Sequence, residues 1–134
     1  MVDRIITSGK RKTSVARAVI VPGNGEIKIN LSSYKNRPFF DRLKIEEPLK
    51  IAESILGKAN FNISVTVHGG GEKSQTEASR LAIAKAIVAF SNSKELRDSY
   101  AAYDRTLLVA DVRRKEACKP GDSKARSKRQ TSYR

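Results

Sequence analysis

A single cysteine (Cys118) and a single histidine (His68) occur in 134 residues, and tryptophan is missing. One thiol excludes an intramolecular disulfide, and one thiol with one imidazole leaves no Cys/His cluster spaced for zinc. No uninterrupted apolar run approaches the roughly 18 residues of a membrane span. The opening MVDRIITSGK has an acid at position 3 and no apolar h-region, so the chain is expected to be intracellular, neither exported nor inserted. Acids are scarce: 14 Asp and Glu face 27 Lys and Arg, a net charge of +13 with an isoelectric point near 10.2. Such a surplus raises self-repulsion in the folded state, and the usual physical reason to tolerate it is a polyanionic partner.

The surplus is unevenly placed. Residues 113 to 134 hold nine Lys and Arg against two acids, so over half of the +13 lies in those 22 residues. The stretch SKARSKRQTSYR carries five cations, no acid and no aliphatic side chain larger than Ala125. It cannot bury enough apolar surface to offset the entropy of ordering it. The expected organisation is a globular domain over residues 1–112 followed by an extended basic tail over residues 113–134.

Three strands are expected in RIITSGKRKTSVARAVIVPGNGEIKINL. Ile27, Ile29 and Leu31 alternate with polar residues, and the PGNG turn predicts a hairpin between Thr13–Val21 and Glu26–Leu31. The basic loop GKRKT links the first two strands. Leu49, Ala52, Ile55 and Leu56 share a helical face, which predicts a helix over Glu47–Leu56 with Pro48 in its first turn and Gly57 at its stop. NFNISVTVHG alternates strictly, placing Phe61, Ile63, Val65 and Val67 on one side and His68 on the other. A capping box in SQTE, Ser74 to Glu77, is expected to start a second helix, apolar nearly all round from Leu81 to Phe90 and therefore buried. Ser93 caps a third, shorter helix carrying Leu96, Tyr100 and Tyr103, and RTLLVADV reads as a brief extended piece. The pattern predicts an α+β fold: a two-layer sandwich of a four-stranded sheet with helices on one face.

Candidate chemistry is sparse. HGGGEKSQTEAS has glycines opening a helix, a form suited to phosphate, but neither it nor SGKRKTS matches G-x-x-x-x-G-K-[ST]. His68 has no nucleophile or carboxylate that the sequence places beside it, which makes an enzyme acting on a phosphorylated substrate the weaker reading. Lys10, Arg11, Lys12 and Arg17, on a loop with the flexible Gly9 and on the strand after it, have no acid between Asp3 and Glu26 to neutralise them, and phosphate contact is the better reading. Phe39 and Phe40 are assigned to packing, Tyr34 to neither packing nor base stacking, and Cys118 to no role. A free-standing basic nucleic-acid-binding protein would share these electrostatics.

Three ordered stretches, SGKRKTSVARAVIVPGNGEIKIN, VTVHGGGEKSQTEASRLAIAKAI and LLVADVRRKEACKPGDSKARSKRQTSYR, together resemble the universal ribosomal protein S-nine family of the small subunit over essentially the whole length. The ending Ser-Tyr-Arg is similar to the archaeal and eukaryotic branch, whereas the bacterial one usually ends Ser-Lys-Arg. The resemblance implies a fold like the second domain of ribosomal protein S-five, placed in the head of the cytoplasmic small subunit on the 3′ major domain of its rRNA. It implies no catalysis, cofactor, membrane or small-molecule substrate, and neighbouring ribosomal proteins of the head as further partners. By the family pattern, Lys10, Arg11, Lys12, Arg17, Gly69, Gly70, Gly71, Arg113, Arg114, Lys115, Lys119, Lys124 and Arg126 face rRNA. Lys128, Arg129 and Arg134 approach the anticodon stem-loop of peptidyl-site tRNA. Ala117 and Cys118 stand where the pattern usually has lysines, and Asp122 adds an acid to a stretch normally basic or glycine-rich.

Overall fold

In the computed structural model, which describes residues 3–118, Ile5–Arg11 (β1) and Ser14–Pro22 (β2) pair antiparallel from Ile5↔Ile20 to Arg11↔Ser14. Only Lys12 and Thr13 are left to turn the chain, so the basic loop is shorter than expected and Gly9 to Arg11 belong to a strand. Two short strands, Ile27–Ile29 (β3) and Ser32–Ser33 (β4), precede the helix Phe39–Leu56 (α1). Then come Phe61–His68 (β5), the helix Glu72–Ser91 (α2) and the helix Lys94–Tyr103 (α3). The architecture is the expected α+β, but the sheet has five strands in the order β1-β2-β5-β3-β4, not four.

The expected hairpin of β2 with β3 does not form. β5 is threaded between them, antiparallel to β2 and parallel to β3, with Ile27 opposite Ile63. PGNG, instead of folding β3 back on β2, arches across the end of β5. There the Asn62 side-chain oxygen accepts hydrogen bonds from the backbone N–H groups of Asn24, Gly25 and Glu26 at 2.9, 3.1 and 2.9 Å. A Cβ at Gly23 would fall 2.3 Å from the Asn62 side chain, so the arch needs glycine at that position. The alternation of β3 stops at Ile29. Asn30 and Leu31 take positive φ, and Leu31 is 97% exposed at the turn into β4 instead of buried.

Phe61, Ile63, Val65 and Val67 of β5 are all buried as alternation requires, each contributing about 1.5–3 kcal/mol by removal from water. They meet Ala16, Ala18 and Ile20 of β2 and the apolar body of α2, where Leu81, Ala82, Ile83, Ala84, Ala86 and Ile87 are buried. α1 starts eight residues earlier than periodicity indicated and carries Pro48 in its interior. Its buried stripe runs Asp41, Ile45, Pro48, Ala52, and because the first member is an acid, hydropathy conceals the upstream turns. The buried Tyr100 hydroxyl of α3 donates to the Pro48 carbonyl at 2.7 Å, tying α3 to α1, and burial pushes that phenol's pKa well up.

α2 begins at Glu72 rather than in the Ser74 to Glu77 box, with Gly71 as its N-cap and no side-chain cap bond. Ser93 does cap α3, its hydroxyl accepting from the Leu96 amide at 3.2 Å. Within α3, Leu96 and Tyr100 are buried while Tyr103 is exposed. The expected extended piece is a single 3-10 turn, Arg105–Leu107. Phe39 and Phe40, expected in the core, are 59% and 70% exposed.

Replacing Asn62 with Ala removes the acceptor shared by three amides and is expected to lower stability by about 1–3 kcal/mol in urea unfolding. Asn62→Asp keeps an acceptor oxygen and should lose distinctly less. Equal losses in the two variants would show that the arch does not depend on that oxygen.

Candidate nucleic-acid interface

The β1–β2 turn and the glycine turn, far apart in sequence, form one surface. The Ser14 hydroxyl donates to the Gly69 carbonyl at 2.9 Å, and the Gln75 side-chain amide donates to the same oxygen at 3.0 Å. Gly69 and Gly70 have φ of 79° and 62°, and a Cβ on them would lie 2.5 Å from the Thr13 carbonyl and 2.2 Å from the Ser14 hydroxyl. Only glycine allows this approach. Lys10 and Lys12 are exposed on one side of the junction and Gly69 to Gly71 on the other. Gly9, expected to lend flexibility, instead lies buried under α2, where a Cβ would sit 2.4 Å from the Ala78 carbonyl.

Three ion pairs form a ladder between α1 and α2: Asp41 with Lys73 at 3.0 Å, Lys44 with Glu77 at 3.5 Å and Glu47 with Arg80 at 2.6 Å. Their order along both helices shows that α1 and α2 run side by side in the same direction. Both N-termini therefore point to the end of the molecule that carries the two turns, and neither has a side-chain cap bond. Parallel helix dipoles add at that end, where the unpaired first-turn amides favour an anion. Two acids lie in these first turns, the buried Asp41 held by Lys73, and the exposed Glu72.

The open face of the sheet continues the surface. Strand register puts Lys10, Val15 and His68 in one row, Ser8, Arg17 and Thr66 in the next, and Ile6, Val19, Ser64 and Lys28 in a third. Among these strand residues every charged side chain is a cation. His68 is exposed as alternation indicated, and its row contains no carboxylate.

Arg11 is placed differently from its neighbours. Its side chain is 13% exposed, turned under the turn towards α2, with Nε 2.6 Å from Glu77 and a terminal nitrogen 3.7 Å from Asp111. Asp111 is in turn gripped by Arg113 at 2.7 Å, and these hydrogen bonds hold its carboxyl well below the usual carboxylate range. Arg114 donates to the Asp111 carbonyl at 3.0 Å. The residues that lead out of the globular part thus meet β1 through the Asp111–Arg11 ion pair, beside a charged cleft of about 350 Å³, lined among others by Lys44, Glu77, Arg80 and Asp104. Lys115 and Cys118 are exposed. Lys119, Lys124, Arg126, Lys128, Arg129 and Arg134 lie outside the described residues. Tyr34 packs half-buried against the core, and that burial, with Glu46 nearby, raises its phenol.

A run of cations gives no sign of Arg11's inward turn, because its partners Glu77 and Asp111 are remote in sequence. Phe39 and Phe40 are exposed, contrary to expectation, because they belong to the first turn of α1 and fall off its stripe of Asp41 and Ile45.

The profile of a family described as Ribosomal protein S9/S16 matches residues 9–134. The chain is 49% identical over 134 residues to the small ribosomal subunit protein uS9 of Thermoplasma volcanium, covering 98% of this chain and 99% of that one. It is 44% identical over 131 residues to the protein of that name from Methanococcus vannielii, covering 96% of each. Against the one from Pyrobaculum aerophilum it is 45% identical over 131 residues, covering 97% of this chain and 91% of the other.

Asp104 gives a test of the cleft. Burial would raise its carboxyl, but hydrogen bonds from the Thr106 amide and hydroxyl, and then Arg80, outweigh it and leave the pKa lowered. A carboxylate lowered on folding stabilises the fold above its unfolded pKa, and that stability is lost as pH falls through the folded value. A carbon-detected NMR titration should give an Asp104 midpoint below the ordinary 3.8, moving upward in Arg80→Gln.

Proposed function

The chain belongs to the ribosomal protein S9/S16 family, and on that premise we propose that it is built into the head of the small ribosomal subunit in the cytoplasm, binding rRNA with its folded part and peptidyl-site tRNA with its C-terminal residues. Membership makes it a structural protein and not an enzyme. The observation that carries the rRNA reading is the Ser14 to Gly69 junction, which joins exposed Lys10 and Lys12 to an exposed glycine turn at the positive ends of two helices. An A-form helix hides its base edges in a deep, narrow groove, so a surface of lysines, backbone amides and helix N-termini engages phosphates and shape instead of sequence.

Within this reading the residues divide their work. Lys10, Lys12, Arg17 and the Gly69 to Gly71 turn face the rRNA backbone, while Arg11 anchors the turn from beneath through Glu77. Residues 1–112 act as the docking domain and residues 113–134 as the reaching tail, rooted at Asp111. Arg113, Arg114, Lys115, Lys119, Lys124 and Arg126 neutralise rRNA phosphates along the path. Lys128, Arg129 and Arg134 serve the tRNA anticodon stem-loop, where backbone contact suits tRNAs that differ in anticodon. Neighbouring proteins of the head complete the environment.

Two measurements test the assignment. Lys10→Ala with Lys12→Ala should weaken rRNA binding and flatten the dependence of log K on log salt by about one for each phosphate that is no longer neutralised; an unchanged slope would remove both lysines from the interface. A chain ending at Lys128 should still enter small subunits but hold peptidyl-site tRNA less tightly. Undiminished tRNA affinity would refute the role given to Arg129 and Arg134.

A further inference from the structure

Phe39 and Phe40 open α1 with their rings in the solvent, centroids 5.5 Å apart and planes at 69°, an L-shaped notch. A ring left in water needs a reason, and none is found among the described residues: the buried face of α1 runs through Asp41, Ile45, Pro48 and Ala52. From residue 27 to residue 45 the sequence has five Lys and Arg and one acid; Lys28, Arg42 and Lys44 are paired with Glu26, Glu46 and Glu77, and Asp41 with Lys73, which leaves Lys35 and Arg37 as the cations of that stretch without an ion pair among the described residues. The Arg42 guanidinium lies 5.6 Å from the Phe39 centroid, occupying one side of that ring, so Phe40 is the freer of the two.

We infer that Phe39 and Phe40 form a stacking notch for an unpaired base of rRNA, the base lying on Phe40 with Phe39 as a wall and with Lys35 and Arg37 beside the flanking phosphates. This rests on the proposal that the folded part binds rRNA. Charge complementarity selects RNA over a protein partner. Lysine is depleted from protein interfaces and drawn to phosphate, and here Lys35 and Arg37 precede the rings in the chain without an acid partner among the described residues. A nucleotide offers both a π-face and a phosphate, and base stacking on aromatic side chains is sequence-tolerant.

The test uses small subunits reconstituted with the full chain bearing Phe40→Ala, Phe40→Leu or Phe40→Trp, read by base-specific chemical probing of the rRNA. One or two unpaired bases protected with the parent chain should become reactive, on the order of ten-fold, with Ala and with Leu, and be protected again with Trp. Because Phe40 is exposed, thermal unfolding of the variants should match the parent. If the surrounding rRNA protections persist and Phe40→Ala leaves every base as protected as before, the notch holds no base and the inference falls alone. Restoration by Leu as complete as by Trp also overturns it, since an apolar contact with a protein would then account for the rings. Absence of any rRNA protection with the parent chain would instead bring down the rRNA reading itself.

Discussion

β5 lies between β2 and β3, bonded antiparallel to one and parallel to the other, and polar groups at its two ends determine where the rest of the chain goes. At its start Asn62 collects the amides of the PGNG arch and so delivers β3. Towards its end the Val67 backbone exchanges two hydrogen bonds with the Asn30 side chain, which closes β3 and permits the turn at Leu31. Just beyond, Gly69 accepts from Ser14 and brings the glycine turn against the basic one. The buried residues of β5 supply the driving force, but these side-chain bonds select which strands lie beside it.

That division explains what is legible in the sequence. Alternation in Phe61 to His68, the apolar run of α2 and the Ser93 cap are local signals, and each element appears, although α2 begins at Glu72, ahead of its Ser74 to Glu77 box. The class follows from them, as does exposure of His68. The pairing of β3 is not legible, because a parallel neighbour 36 residues on leaves no mark on the turn that reaches it. PGNG looks the same whether it closes a hairpin or arches over another strand. The length of α1 is hidden for a different reason. Its buried stripe begins with an acid, one of whose oxygens is paired with Lys73 from another helix, and a hydropathy pattern does not register such a pair.

The acids of the folded part also clarify its charge. Glu47, Glu77, Asp104 and Asp111 all turn to the cleft between α1, α2 and the final 3-10 turn, where they meet Arg11, Lys44, Arg80 and Arg113. Exposed members of such a network contribute little to stability one by one. Their placement matters for the field. Carboxylates consumed on the helix side of the molecule do not neutralise the open face of the sheet, whose strand residues then present Lys10 and Arg17, while Lys28 at the far side pairs with Glu26 at 3.2 Å.

The same cleft relates the folded part to the residues after it. Asp111 touches both Arg11 beneath the basic turn and Arg113 at the start of the cationic stretch. One carboxylate thereby ties the start of the C-terminal residues to the strand whose neighbouring lysines face outward. A polycation tethered beside a second binding surface acts at an effective concentration set by where its root is held, and here residues 111 to 113 lie next to the basic turn. Charge number alone, +13 spread at random, would attract a polyanion without orienting it; the ion pairs of Asp111 with Arg11 and Arg113 give the charge of the described residues a fixed arrangement at that point.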